Sequence, residues 1–279
     1  MRNRTLLVTA LLATLTLASL PAITAAAGVQ VAQTGVVTHF PCPSFCGGPG
    51  SRFASDLDGG LGFTTSFSSL NNIDGSGQAR ADLNGPTSLP VLRAMGISQA
   101  NSNATGQAVG MQGFFYNGVG SGAYMLDVHL LGIANDPNPS PFETDGRLFA
   151  QVLVFRDNNP GTDTGYSTDY STLKFEIIPF EGDLDELADA GTTLEITPDN
   201  VIHSVATTLS VSGLSGGDLI YVWASLVGTG TRGGFGNGFS TLNLEFQDAT
   251  GLTPVPVPAA WALFASAALL GLRRRRRRS

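Results

Sequence analysis

The central part of the chain alternates apolar and polar side chains with a period of two. This pattern is typical of strands that bury one face, and it is clearest at residues 124–131, 173–177 and 241–246. Residues 205–211 and 219–227 are also strand-like. Residues 148–155 are apolar at nearly every position, as expected for a strand in the middle of a sheet. The central region is therefore predicted to consist mainly of strands.

A different alternation occupies residues 98–111. A small residue stands at each even position, with mostly polar residues between them. Period two again indicates a strand, and its small-residue face allows a second sheet to approach closely. Residues 35–70 are rich in Gly, Ser and Asp and are predicted to be loops, whereas residues 182–190 suggest a short helix.

Turn dipeptides such as Asp74-Gly75 and Asn84-Gly85 separate the predicted strands. Many short strands with few helices indicate an all-β domain. We predict an antiparallel β-sandwich, jelly-roll-like, over residues 28–250, followed by a linker at 251–258 and a single C-terminal transmembrane helix.

The N-terminus has the three parts of a secretory signal peptide. Arg2 and Arg4 precede an apolar run, which ends at the small residues Ala25 and Ala27. Residues 1–27 are therefore predicted to be removed on export, leaving Gly28 as the first residue of the mature protein.

The C-terminus combines an apolar segment, residues 259–272, with six consecutive arginines at Arg273, Arg274, Arg275, Arg276, Arg277 and Arg278. Six adjacent cations cannot enter a protein core, but they can lie among anionic cytoplasmic headgroups and stop transfer. Their aliphatic stems also extend the short span. Residues 273–279 are thus predicted to be a cytoplasmic tail, with the bulk of the chain on the other side of the inner membrane.

Two prolines stand just before this segment, in the sequence Val255, Pro256, Val257, Pro258 and Ala259. A Pro-x-Pro motif, a short apolar helix and a terminal Arg cluster together resemble the PEP-CTERM sorting signal, in its VPxPA variant. The resemblance covers residues 255–279. It implies an exported protein of a Gram-negative-type bacterium, sorted to the cell surface or extracellular matrix by an exosortase-like membrane enzyme. It also implies association with exopolysaccharide or biofilm.

Positive and negative charges are distributed unevenly along the chain. Eight of the 15 Lys and Arg residues lie in the two ends, which leaves seven against 22 Asp and Glu residues, a net charge of −15 between the ends. Such an acidic domain stays soluble and repels nucleic acid and anionic membranes. We therefore expect no nucleic-acid partner and only a transient contact with the inner membrane.

The two cysteines, Cys42 and Cys46, lie close together in the sequence. In an oxidising compartment their first interpretation is a local disulfide, which would close a very small loop. A metal site that includes His39 and a Cys–His nucleophilic pair are the alternatives.

Candidate chemistry elsewhere is sparse. Asp157, Asn159 and Asp163 form a turn rich in oxygen ligands that suits calcium, although an ordinary Asx-rich turn fits equally. Asp127 and His129 would share one strand face as a polar pair. The chain contains no Gly-x-Ser-x-Gly elbow, phosphate-binding loop or dinucleotide fingerprint.

The sequence therefore favours a non-enzymatic envelope or matrix protein without a required cofactor. One alternative is a carbohydrate-binding module with exposed aromatic residues, among Tyr116, Tyr166, Tyr170 and Trp223, although Trp223 lies in an apolar strand and suits a core. The other alternative is a secreted hydrolase.

Overall fold

The computed structural model describes residues 30–39, 52–59, 64–72, 75–83, 88–99, 102–137, 145–157, 166–168, 177–179 and 184–254. These residues form strands, turns and irregular connections, and none of them is helical. The all-β prediction is confirmed for this part of the chain. The side chains of β2 and of residues 184–190 are not described.

The strands form two antiparallel sheets. Sheet A contains β1 (Gln30–His39), β2 (Arg52–Gly59), β6 (Asn103–Tyr116), β8 (Gly146–Asp157), β11 (Leu184–Ile196), β13 (Leu219–Thr231) and β15 (Leu252–Pro254). Sheet B contains β3 (Thr64–Asn72), β4 (Gly75–Leu83), β5 (Val91–Ser98), β7 (Tyr124–Asn135), β12 (Asp199–Val211) and β14 (Phe235–Phe246). A separate small hairpin pairs β9 (Tyr166–Thr168) with β10 (Ile177–Pro179).

Sheet A has the order β11-β8-β13-β6-β1-β2, and β15 also pairs with β6. Sheet B has the order β12-β7-β14-β5-β4-β3. The two sheets pack face to face as a β-sandwich, with β5 against β6, β13 against β14 and β11 against β12. From β5 to β8 and from β11 to β14, the chain therefore crosses from one sheet to the other at each connection.

Large aliphatic side chains fill one half of the space between the sheets. Leu126 and Leu130 on β7 meet Leu148 on β8 and Leu226 on β13, and all four are fully buried. Burial of each such side chain contributes about 1.5–3 kcal/mol. Alternation along each strand directs these residues inward, as the period of two predicts.

The other half of the sandwich contains small residues, and there the sheets approach each other closely. A Cβ atom added to Gly106 on β6 would lie 2.5 Å from the carbonyl oxygen of Gln78 and 2.5 Å from that of Met95. One added to Gly96 would lie 2.5 Å from the carbonyl oxygen of Ala104. The expectation that the small-residue face permits close sheet approach is confirmed.

Short hydroxyl side chains link the sheets near this region. The Thr34 hydroxyl on β1 is 2.8 Å from the hydroxyl of Ser66 and 2.8 Å from that of Ser68 on β3. All three residues are buried. Because they bond to one another, their burial leaves no hydroxyl unsatisfied.

A buried ion pair joins connections at the end of the sandwich that contains the β5–β6 and β13–β14 loops. The Asp145 side chain is completely buried, and the Arg232 Nε donates to its carboxylate at 2.8 Å. The Thr231 backbone N–H donates to the carbonyl of Asp145, and the Arg232 N–H donates to that of Ser102. These contacts hold three connections against one another.

The structure corrects two sequence expectations. Residues 35–70, predicted to be loops, contain half of β1, all of β2 and most of β3, and the buried positions of β1 and β3 include Thr34, Thr38, Ser66 and Ser68. Residues 182–190, predicted to be a helix, include the first half of β11. There, pairing with β8 overrides the helical propensity of Leu, Glu and Ala, and the register shifts between Glu186 and Gly191.

Candidate functional site

Most of the residues that the sequence predicts to be functional lie outside the described part of the chain. This holds for the sorting motif Val255–Ala259, the arginines at 273–278, the signal cleavage residues and the pair Cys42 and Cys46. It also holds for Asn159 and Asp163. Asp157 is the last residue of β8, and its side chain is not described.

The structure does place the two points from which the terminal segments leave the domain. β1 begins with Gln30 opposite Gln112, and β15 ends with Pro254 opposite Phe114. The opposite edge of β6 is occupied by β13, which pairs Ile220 with Phe114. β1 and β15 must therefore lie on the same side of β6, one continuing the line of the other.

The two exit points are two register positions apart on β6. At about 3.4 Å per residue, this places them roughly 7 Å apart along the strand. β1 begins at Gln112, two positions further along the same side of β6. Gln30, the first described residue, and Pro254, the last, therefore lie close together along β6.

Contacts around β15 hold this exit in place. Leu252 is buried, and the Thr253 hydroxyl donates to the carbonyl of Phe115 at 3.2 Å. The Asn117 N–H donates to the carbonyl of Gly251 at 2.9 Å. Residues 252–254, which the sequence assigned to the linker, thus belong to sheet A.

An aromatic cluster of Phe114, Tyr116, Tyr124 and Phe246 supports the same end of the sandwich. The ring centroids of Phe114 and Phe246 are 5.6 Å apart, and those of Tyr116 and Tyr124 are 5.9 Å apart, both edge to face. The Tyr124 hydroxyl donates to the carbonyl of Thr250 at 2.8 Å. Burial raises the pKa of Tyr124, with a smaller contribution from Tyr116. The connection that leads to β15 is therefore tied to the core.

The outer face of sheet B is polar where β12, β7 and β14 lie side by side. Asp127 on β7 accepts a hydrogen bond from the Thr208 hydroxyl at 2.6 Å and from the Gln247 amide at 3.0 Å. These bonds lower the pKa of Asp127, with Thr208 the larger cause. Asp127 and Glu245 are directly opposite in the register.

His129 lies on this face, two residues along β7 from Asp127, as the sequence predicts. Its Nε2 is 2.6 Å from the hydroxyl of Ser204 on β12. A serine beside a histidine is part of a nucleophilic arrangement, which also needs a group that orients the histidine. Within the described residues, no carboxylate bonds to His129. These contacts form a cross-strand hydrogen-bonding ladder.

The aromatic residues expected to bind sugars have different positions. The prediction that Tyr116 is exposed was wrong, because it packs in the aromatic cluster with 3% exposure. Trp223 is buried, as its apolar strand predicts, but its side chain points away from sheet B. The side chains of Tyr166 and Tyr170 are not described. Phe67 on sheet B is an exposed aromatic residue that the sequence reasoning missed.

Two further properties of the described residues concern metals and membranes. In the described ranges, no group of three or more His, Cys, Asp or Glu side chains is arranged to hold a metal ion. The same ranges contain no helix with the length and apolarity needed to span a bilayer. Comparisons of the chain with protein-family models, with curated proteins and with solved structures find no match.

Proposed function

We propose that the protein is an exported, non-enzymatic β-sandwich of a bacterial envelope or extracellular matrix, held briefly at the inner membrane and released by an exosortase-like enzyme. The observation that carries this proposal is the adjacent exit of both chain ends from sheet A. The signal peptide and the C-terminal apolar segment would then enter the same small area of membrane, with the rest of the domain directed away from it.

The position of β15 explains how the sorting motif is presented. The chain leaves the sheet at Pro254, and residues 255–258 follow at once. Prolines at 256 and 258 lack a backbone N–H and favour an extended conformation, so this strip cannot join a sheet. An extended, unpaired strip beside the bilayer is the form in which a membrane protease binds a substrate.

The finer fold assignment is a jelly roll followed by a C-terminal helix at 259–272. The strand orders support the jelly roll. Strands β5, β14, β7 and β12 form four neighbours in one sheet, and β6, β13, β8 and β11 form four in the other. With β8 and β11 as the hairpin between two crossing runs, this order supports an arrangement of two Greek keys in a double sheet.

The test is to replace Pro256 and Pro258 together by Ala. We expect export and membrane insertion to proceed, but maturation to fail, so that a longer form accumulates in the membrane fraction. Pro254→Ala is the matched control, since it changes a neighbouring proline outside the motif and should mature normally. Normal size and location of the double variant in immunoblots of fractions would refute the proposal.

A second candidate function is the binding of neutral polysaccharide by the outer face of sheet B. The observation that favours it is the ladder of hydrogen-bonding groups on β12, β7 and β14, three strands without a single Lys or Arg. Amide, carboxylate and hydroxyl groups suit sugar hydroxyls, and the acidic charge excludes anionic polymers. Asn243 is exposed on β14, opposite His129. Affinity electrophoresis should show retardation by a neutral glucan, and Asn243→Ala should reduce it. Equal retardation of wild type and variant would contradict this assignment.

A further inference from the structure

Sheet A buries a second cluster of large side chains on the face directed away from sheet B. This outer apolar patch consists of Val109, Met111, Leu219, Tyr221 and Trp223. Residues that alternate with them, such as Ala108, Val222 and Ala224, belong to the core between the sheets. The two clusters therefore occupy opposite faces of the same strands.

The patch is contiguous across three strands. Trp223 on β13 pairs with Met111 on β6 and with Leu153 on β8, and Tyr221 pairs with Phe155 on β8. Leu153 and Phe155 pack against the cluster as partly buried neighbours. Next to it, the Gln107 amide donates to the Ser225 hydroxyl at 3.2 Å, and both side chains are buried.

The low solvent exposure of these residues requires a layer of chain above them. On an open sheet face, neighbouring side chains shield only the flanks of a residue, and its tip stays in water. Val109 is nevertheless 0% exposed, Tyr221 1% and Trp223 6%. Sheet B covers only the opposite face. A segment of the chain beyond the two sheets must therefore lie on the patch.

We propose that this layer is the connection between β8 and β11, residues 158–183. Asp157, the last residue of β8, pairs with Leu219 of the patch and also with Leu184, the first residue of β11. Both ends of the connection thus lie at the corner of the patch. Because they are paired with each other, the connection must leave the sheet and return to the same point.

Its length and pattern fit the surface. Half of the connection, extended at about 3.3 Å per residue, reaches on the order of 40 Å, whereas the patch from Leu219 to the level of Val109 spans roughly 20 Å. Its central part contains the β9–β10 hairpin. In the sequence, Leu173, Phe175 and Ile177 alternate with polar residues, a pattern that would give an extended segment one apolar face.

Other segments are less suited to this role. Residues 40–51 begin after His39, which pairs with Asn103 at the far end of β6. The two terminal segments leave beside Gln112 and Phe114, and both are removed in the proposed maturation. A layer made from them would expose the patch in the mature protein. The exclusion of the terminal segments rests on the sorting proposal, whereas the choice of residues 158–183 rests on their length and on the position of their two ends. Sheet B remains the face open to partners.

Photo-methionine incorporated into the full chain tests the assignment without changing the fold. Met111 belongs to the patch, and Met125, which is 42% exposed on the outer face of sheet B, is the internal control. On irradiation, position 111 should cross-link to peptides from residues 158–183, in addition to its strand neighbours, and position 125 should not. Cross-links from position 111 to residues 1–29, 40–51 or 255–279, or to a second chain, would overturn the proposal.

A second measurement uses Trp223 as the reporter. The chain has two tryptophans, so Trp261→Phe leaves Trp223 alone. Replacing residues 158–183 by Asn-Gly should preserve the β8–β11 pairing, since Asp157 and Leu184 are partners that a two-residue turn can join. We expect red-shifted Trp223 emission and several-fold stronger acrylamide quenching. Unchanged emission and quenching in a cooperatively folded deletion variant would contradict a layer made of this connection.

Discussion

Gly106→Ala tests the close approach of the two sheets most directly. The added Cβ would lie 2.5 Å from two carbonyl oxygens of sheet B, on Gln78 and Met95. Neither obstacle is a side chain that could rotate away. The substitution must therefore separate the sheets locally or bend β6.

The expected cost follows from this geometry. Overpacking of a protein core typically costs about 1–3 kcal/mol and occasionally more. Because both contacts are with backbone, Gly106→Ala should lie at or above the upper limit, about 3 kcal/mol. Gly110→Ala is the matched control on the same strand and face, since its Cβ would meet the Pro90 ring at 2.6 Å instead of backbone. We expect it to cost roughly 1–2 kcal/mol.

The difference in stability between the two variants is measured by urea and thermal unfolding of the purified proteins, followed by circular dichroism. For a domain of this size, 1 kcal/mol corresponds to about 2–4 °C in Tm, so Gly106→Ala should lower Tm by roughly 6–12 °C. An unchanged or increased stability of Gly106→Ala would show that the sheets are not in backbone contact at this point.

Two further predictions concern polar groups. Arg232→Ala should destabilise the domain by about 3 kcal/mol, because it removes the guanidinium that pairs with the completely buried Asp145 carboxylate. Asp145→Asn should cost less, about 1–2 kcal/mol, because Arg232 is 43% exposed and stays hydrated; the reverse order in urea unfolding would contradict this. Thr208→Val should raise the pKa of Asp127 towards its ordinary value in a carboxyl NMR titration, and an unchanged pKa would exclude Thr208 as the main cause. Since the pKa of Asp127 is lowered on folding, its contribution to stability is present above the pKa of the unfolded state and is lost as pH falls through the folded value.

Strand type and position were predictable wherever the buried face carries large apolar residues. The segments at 124–131, 148–155 and 219–227 lie within β7, β8 and β13. The alternation of small residues in 98–111 also predicted which residues of β6 face sheet B. Where burial instead relies on hydroxyl groups, as for Thr34 and Ser66, the alternation is invisible to a hydrophobicity pattern. Strands β1 and β3 were missed for this reason.

The candidate site was only partly predictable. The strand period alone predicts that Asp127 and His129 share a face. Their partners Thr208 and Ser204 come from β12, whose alignment with β7 depends on the register of the whole sheet. Likewise, nothing in the local sequence places Gln30 beside Pro254, since their proximity depends on both strands pairing with β6. Non-local register is the information that a single sequence does not display.

The strand order also determines when this domain can fold. A chain that emerges N-terminus first can form the β1–β2 hairpin and the β3-β4-β5 meander early, because their partners are close in sequence. The strands at the middle of each sheet, β13 and β14, come near the end of the chain. Until they emerge, β6 lacks β13, and β5 and β7 lack β14. These pairings join strands that are far apart in the sequence, so they form slowly. Both sheets can therefore be completed only after residue 254, the end of β15, has emerged.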